Sequence, residues 1–278
     1  MKKPTVMIIG SIGHVGPYVV DETLRLGYKV RSIIWNAEKF ANLPAEVDRV
    51  EGVLTDVSKL GLPLEGVDAL ICQVGLRKDV GNNPETINYQ EFSNLMRALQ
   101  GRKIPVVLLT AVNSFLNTNE IAPEAYFQMR LAELLVRASG VPYTIVRAGK
   151  LLNGLTVNPR ITATSSAFIG ENSEDQVSRA SSLTGRQLGR VLANAVFNEN
   201  AHGKTMEVYA TQGDELPPDE LFSEVPNDKF DVVKSLARND NASSAFPPEI
   251  IDDIRSIKHI FDKAEIIRNQ EQKSIGGK

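Results

Sequence analysis

The chain has little with which to cross-link itself, hold a metal or attract a polyanion. It contains one cysteine, Cys72, which excludes an intrachain disulfide and suits a reducing compartment. Its place inside an apolar strand points to packing rather than nucleophilic chemistry. The three histidines, His14, His202 and His259, lie far apart, and no His/Cys/carboxylate cluster has metal-ligand spacing, so no metal is expected. His202 and His259 read as surface residues. The net charge of −3 leaves no basic footprint, which disfavours a nucleic-acid partner. No apolar run approaches a membrane span. Met1-Lys2-Lys3 passes straight into a short strand-like segment rather than a leader with a cleavage site. A cytoplasmic location without a membrane partner is therefore expected. A hydrolase-type G-x-S-x-G elbow and internal repeats are also missing.

What is present is an N-terminal phosphate-binding pattern. The apolar run Val6-Met7-Ile8-Ile9 breaks into Gly10-Ser11-Ile12-Gly13-His14-Val15-Gly16, and helical spacing follows at Val19, Val20 and Leu24. In a strand–turn–helix of this kind, Gly10 permits the tight turn and Gly13 lets backbone amides approach a pyrophosphate. Gly16 lets helix and strand pack closely. The positive end of the helix then faces the phosphates. The spacing is G-x-x-G-x-x-G rather than G-x-G-x-x-G. The alternative reading is a glycine-rich turn in a fold that has lost its ligand.

The rest of the first half alternates strand and helix. Strands are expected over Lys29–Trp35, Arg49–Leu54, Ala69–Val74, Pro105–Thr110 and Tyr143–Arg147, and helices over Pro84–Gln100 and Pro123–Ser139. With 278 residues, 42% of them hydrophobic, the chain suits an α/β fold. The alternation predicts a Rossmann-type, doubly wound parallel sheet with a small C-terminal substrate lobe. The division is a dinucleotide-binding core over 1–150 and a substrate half over 151–278, within one continuous structure. Cofactors in such sheets lie at the carboxyl ends of the strands, here Leu54, Val74-Gly75, Thr110 and Arg147. After Arg147 the pattern loosens. Leu151–Asp175 is polar and turn-rich, Thr184–Asn198 reads as a helix and Thr205–Ala210 as a strand. Proline-rich Asp214–Pro248 reads largely as loop. Pro248–Gln270 is an amphipathic helix striped by Ile250, Ile254, Ile257, Phe261 and Ala264, either docked on its own domain or forming a homodimer face. Ser274–Lys278 should be disordered.

Several stretches together resemble the atypical short-chain dehydrogenase/reductase group, especially its NmrA-like and flavin- or biliverdin-reductase-like members. They are Gly10 to Gly16, Gly27-Tyr28-Lys29-Val30-Arg31, Leu64 to Ala69, Asn88-Tyr89 and Asn94-Leu95-Met96. Further on come Ala132-Glu133-Leu134-Leu135, Ser139 to Arg147, and Gly203-Lys204-Thr205-Met206. The resemblance covers about residues 4 to 210. It implies NAD or NADP binding and a small-molecule substrate held by the C-terminal half.

The departures narrow the reading. The position where the family often pairs an arginine with the 2′-phosphate is Trp35, followed by Asn36, and the arginine that often follows the third glycine is Pro17. No acid ends strand two either. Trp35 could lie against adenine or be an edge-of-sheet aromatic. The family's adenine-contacting aspartate falls on Val53, and Asp56 reads as a turn or cap residue. The resemblance also implies a catalytic tyrosine four residues before a lysine. Counted back from Glu133, those positions hold Ala125 and Met129. Tyr126 and Arg130 have the right mutual spacing but sit one residue away, a rotation of about 100° on a helix. They could be an altered pair or a surface stack without chemistry. Thr110, Asn113 and Ser114 offer a hydroxyl or amide after strand five for a substrate carbonyl, or turn capping. Lys150 could bind an anionic substrate or simply be a solvated loop lysine. Three functions remain open: an NAD(P)-dependent reductase without the usual pair, a non-catalytic NAD(P)-binding regulator or assembly factor, and a cofactor-free enzyme on the same scaffold.

Overall fold

The core strand β1 (Thr5–Ile9) is buried along its whole length, with Val6 and Ile8 entering one helical layer and Met7 and Ile9 the other. A strand covered on both faces needs a continuous apolar run rather than alternation, and this one has it. The computed structural model describes residues 2–34, 38, 40–74, 87–112, 123–152, 160–165, 181–229 and 246–276. Within them β1 is joined by β2 (Lys29–Ile34), β3 (Asp48–Glu51), β4 (Ala69–Gln73), β5 (Val106–Ala111), β6 (Tyr143–Ala148), β8 (Arg160–Thr164) and β10 (Lys204–Thr211). The sheet order is β3-β2-β1-β4-β5-β6-β10-β8. From β3 to β10 neighbouring strands are parallel, as the alternation predicts, and β8 closes the edge antiparallel to β10. The winding direction reverses between β1 and β4, which makes the crevice above their carboxyl ends the switch point.

Helices cover both faces. On one side α1 (Gly16–Arg25) packs against α5 (Gly185–Ala195), which follows a small parallel sheet of β7 (Lys150–Leu152) and β9 (Ser181–Thr184). The two helices approach closely because α5 presents glycine to α1: a Cβ on Gly189 would lie 2.7 Å from the Tyr18 backbone. On the other side lie α3 (Tyr89–Ala98), α4 (Pro123–Ser139) and the C-terminal α7 (Pro248–Gly276). Helix α7 docks on its own domain, with Ile254, Ile257 and Phe261 fully buried. Its Asp253 accepts hydrogen bonds from Tyr89 Oη and Ser93 Oγ, both 2.7 Å, and from Arg97. Gly101 gives α7 room, since a Cβ there would stand 2.3 Å from that of Ala264.

Several expectations need correction. The turn-rich stretch after Arg147 supplies β7 and the antiparallel β8, whose alternation is short and bordered by polar residues. The segment expected as loop holds a short helix α6 (Pro218–Ser223), begun by Pro217-Pro218 and fixed by the burial of Leu221 and Phe222. Two short turns, Val57–Lys59 and α2 (Gly61–Leu64), precede β4, with Asp56 capping the first through Ser58 N (3.0 Å). Helix α7 continues through Ser274 to Gly276, because nothing in Gln272-Lys273-Ser274-Ile275 breaks it. His202 is half-buried rather than on the surface, its Nε2 3.1 Å from the Val196 carbonyl oxygen. Cys72 is fully buried, and burial pushes its thiol pKa far up, in keeping with a packing role.

Candidate functional site

The glycine turn leaves β1 at the switch point and is held on both flanks. Gly10 has φ +92°, a conformation that suits a residue without a Cβ. Its carbonyl accepts from Gly13 N (3.0 Å) and from Gln73 Nε2 on β4 (3.2 Å). On the other side the buried Ser11 and Ser32 hydroxyls meet at 2.5 Å, tying the turn to β2. Gly16 N donates to Gly13 O at 3.2 Å. A Cβ on Gly16 would stand 2.1 Å from Gly10 O, so only glycine lets the helix start this close to the turn. Helix α1 has no side-chain cap and no acidic residue in its first turn. The amides of Ile12, His14 and Val15 donate to no other described residue. Unspent amides at the positive end of a helix form a cradle for an anion. Val15 is buried, Ile12 packs against the core and His14 is exposed, so what the turn offers at the helix end is backbone. The residues therefore fit the pyrophosphate of a dinucleotide.

The rim is partly visible. Leu54 is half-buried, and its carbonyl is pinned by Asn94 Nδ2 of α3 at 2.9 Å. Val53, at the family's adenine-contacting position, is exposed. The Val74 side chain is in the core, leaving its backbone at the strand end. Trp35, Asn36, Gly75, Asn113 and Ser114 lie outside the described residues, and Lys150 is placed only as backbone of β7.

Thr110 and Arg147, expected at the cofactor, have side chains committed elsewhere. Both are buried and converge on Glu133 of α4. Thr110 Oγ1 donates to Glu133 Oε1 (2.8 Å), and Arg147 donates from Nε (2.9 Å) and Nη2 (2.6 Å) to its two oxygens. Arg137 adds a contact from one turn below (3.3 Å), and itself donates to Thr205 Oγ1 (2.6 Å) and to Asp228 (3.2 Å). Burial raises the Glu133 pKa, but hydrogen bonds and charge from Arg147, with Arg137 and Thr110, hold it below the usual carboxylate range. Across the sheet Glu207 is paired in register with Arg147, and its Oε1 lies 3.9 Å from Arg147 Nη1. Burial raises the Glu207 pKa, Arg147 opposing. The two side chains expected at the cofactor thus clamp α4 to the sheet. Sequence reasoning missed this hub, using Glu133 only to set the register. It also missed Ser32 and Gln73; the signal for Gln73 was one polar residue in an otherwise apolar strand.

Tyr126 and Arg130 are not hydrogen-bonded to each other. Both are half-buried, and no hydrogen bond links either to another described residue. The Arg130 guanidinium carbon instead sits 5.5 Å from the Phe127 ring centre and 5.7 Å from that of Phe246. Phe246 belongs to the segment leading into α7. Burial lowers the Arg130 pKa, with Glu133 opposing.

With this geometry in view, the chain can be set beside known proteins. A family model described as NAD(P)H-binding matches residues 10–183. The chain is 26% identical over 260 residues to Protein TIC 62, chloroplastic, of Pisum sativum, covering 81% of this chain and 46% of that protein. Over 174 residues it is 28% identical to the protein of the same name from Oryza sativa, covering 52% of this chain and 34% of that one. The chain thus spans less than half the length of these relatives. Among solved structures it resembles an oxidoreductase, ylbE, from Lactococcus lactis, with TM-score 0.60, 17% identity and coverage of 79% and 95% of the two chains. It also resembles a wide-type short-chain dehydrogenase/reductase of Veillonella parvula in complex with NADP, with TM-score 0.57, 12% identity and coverage of 75% and 95%. At these identities the structures speak for the fold. Among the described residues no helix is long and apolar enough to cross a membrane.

Proposed function

We propose, for a chain that belongs to the NAD(P)H-binding family, an NAD(P)H-dependent reductase that acts on a small conjugated or carbonyl compound without a tyrosine–lysine pair. The observation that carries this reading is the Gly10–Gly16 turn: its unspent amides, the Gly16 contact no Cβ could share, and its position at the β1/β4 switch point. When bound, the nicotinamide supplies a hydride. The chain's own part is binding and orientation. The turn would hold the pyrophosphate, and the ends of β4, β5 and β6 would form the floor on which an acceptor lies. Because Tyr126 and Arg130 are not joined, the proton that completes the reduction would come from solvent or from the acceptor itself. A flavin, quinone or enone suits such a site, where placement does most of the work.

A second reading, a non-catalytic NAD(P)H-binding regulator or assembly factor, is favoured by Ala125 and Met129 standing where the resemblance implies a tyrosine and a lysine, and by the lack of a hydrogen bond between Tyr126 and Arg130. The reductase reading carries with it a small-molecule substrate and a cytoplasmic setting. Single-turnover oxidation of protein-bound NADPH, or NADH where that is the form bound, tests it with a quinone, a flavin and an enone as acceptors. The reductase reading expects oxidation well above the protein-free rate by at least one of them, changed less than about tenfold in Tyr126→Phe. Loss of a tyrosine general acid would cost about a hundredfold or more. Saturable binding without oxidation by any of the three would support the regulator.

A further inference from the structure

Arg130 is a partly desolvated cation with no ion-pair partner among the described residues. Its guanidinium makes no hydrogen bond and no ion pair with any described residue, and its Nε is buried without a partner. The carboxylate three residues on, Glu133, is saturated by Arg147, Arg137 and Thr110. The guanidinium rests in the crook of Phe127 and Phe246, whose ring centres are 6.2 Å apart. Aromatic faces offset part of the cost of removing a cation from water, but they supply no acceptor for its N–H groups. A fork of donors held by stacking is suited to a planar, bidentate anion.

Its position says which ligand would bring that anion. Helix α4 follows β5 and returns to the start of the parallel β6, so it runs against the strands and begins near their carboxyl ends. Glu133 is level with Thr110 and Arg147, at the ends of β5 and β6. Arg130 lies nearly one turn closer to the helix start, about 4.5 Å further out along the axis. That is above the strand ends, while the phosphate cradle belongs to β1, which β4 and β5 separate from β6.

The geometry points to Arg130 as a specificity-determining residue that binds the carboxylate, or a similar planar anion, of the substrate. The assignment names a substrate class for the proposed reductase site and rests on that reading for its function, though not for its binding chemistry.

Calorimetric titration with 2-naphthoate and its neutral isostere 2-naphthamide, with and without NADP+, tests this in wild type, Arg130→Gln and Arg130→Lys. Wild type should prefer the carboxylate about tenfold or more, as expected for a charge-assisted bidentate contact. Arg130→Gln should lose that preference, keep its naphthamide affinity and remain folded, since Arg130 makes no hydrogen bond to a described residue. Arg130→Lys should keep part of the preference. No preference in wild type, or one that survives in Arg130→Gln, overturns the assignment. NADPH affinity, read from nucleotide fluorescence on the same proteins, should be unchanged in Arg130→Gln. A tenfold loss there would give the guanidinium to the nucleotide and also overturn it. Failure of wild type to bind NADPH or NADH would sink the reductase reading alone, since the carboxylate preference is measured without nucleotide as well.

Discussion

At the scale of single residues, the chain's chemistry rests on atoms that are missing. Gly16 matters because it lacks a Cβ: one would stand 2.1 Å from Gly10 O, a backbone atom that can move only if the turn opens. Gly16→Ala should therefore destabilise the protein by about 1–3 kcal/mol, in the range of overpacked positions. It should also weaken nucleotide binding at least about tenfold. Thermal melts with and without NADPH would show both effects; a variant that melts and binds like wild type would mean the turn is looser than described. This residue was legible in the sequence because its reason is local, six positions of chain. Thr110 and Arg147 were not. Their partner Glu133 is 23 and 14 positions away, and a strand-end threonine or arginine looks the same whether it faces a cofactor or a buried carboxylate.

At the scale of elements, Glu133 is where α4 is fastened to β5 and β6. Removing one side of a buried pair leaves the other charge stranded, at a cost of about 3–5 kcal/mol. Glu133→Gln should lose about 3 kcal/mol of stability at pH 7, read by urea unfolding. The pH dependence follows from the lowered Glu133 pKa. A carboxylate lowered in the folded state contributes fully above its unfolded pKa of about 4.3 and loses that contribution as pH falls through the folded value. The gap between wild type and Glu133→Gln should thus narrow as pH drops below about 4. A gap that stayed constant would mean Glu133 is not ionised in the fold. Strands β1, β4 and β5 were readable from apolar runs, and β2 and β6 also from the breaks before them at Gly27, Gly140 and Pro142. The antiparallel β8 was not, because a five-residue edge strand draws its stability from pairing with β10, 49 residues on in the Thr162–Thr211 contact. The stripe of α7 was legible, but not that its Asp253 would be gripped by Tyr89, Ser93 and Arg97 of α3.

At the scale of the whole molecule, a parallel sheet wound in both directions from the β1/β4 boundary puts a crevice where the glycine turn begins. The turn is held there by Ser32 on one side and Gln73 on the other, with amides left to spend. Helix α4, between β5 and β6, carries Arg130 beside Phe127 and Phe246. The fold and the cradle thus agree, while Ala125 and Met129 stand where the resemblance implies a tyrosine and a lysine. The most direct test is fluorescence titration of the purified chain with NADPH and NADH. A saturable change for at least one of them, weakened in Gly16→Ala, is the result this account predicts; a flat titration with both would contradict it.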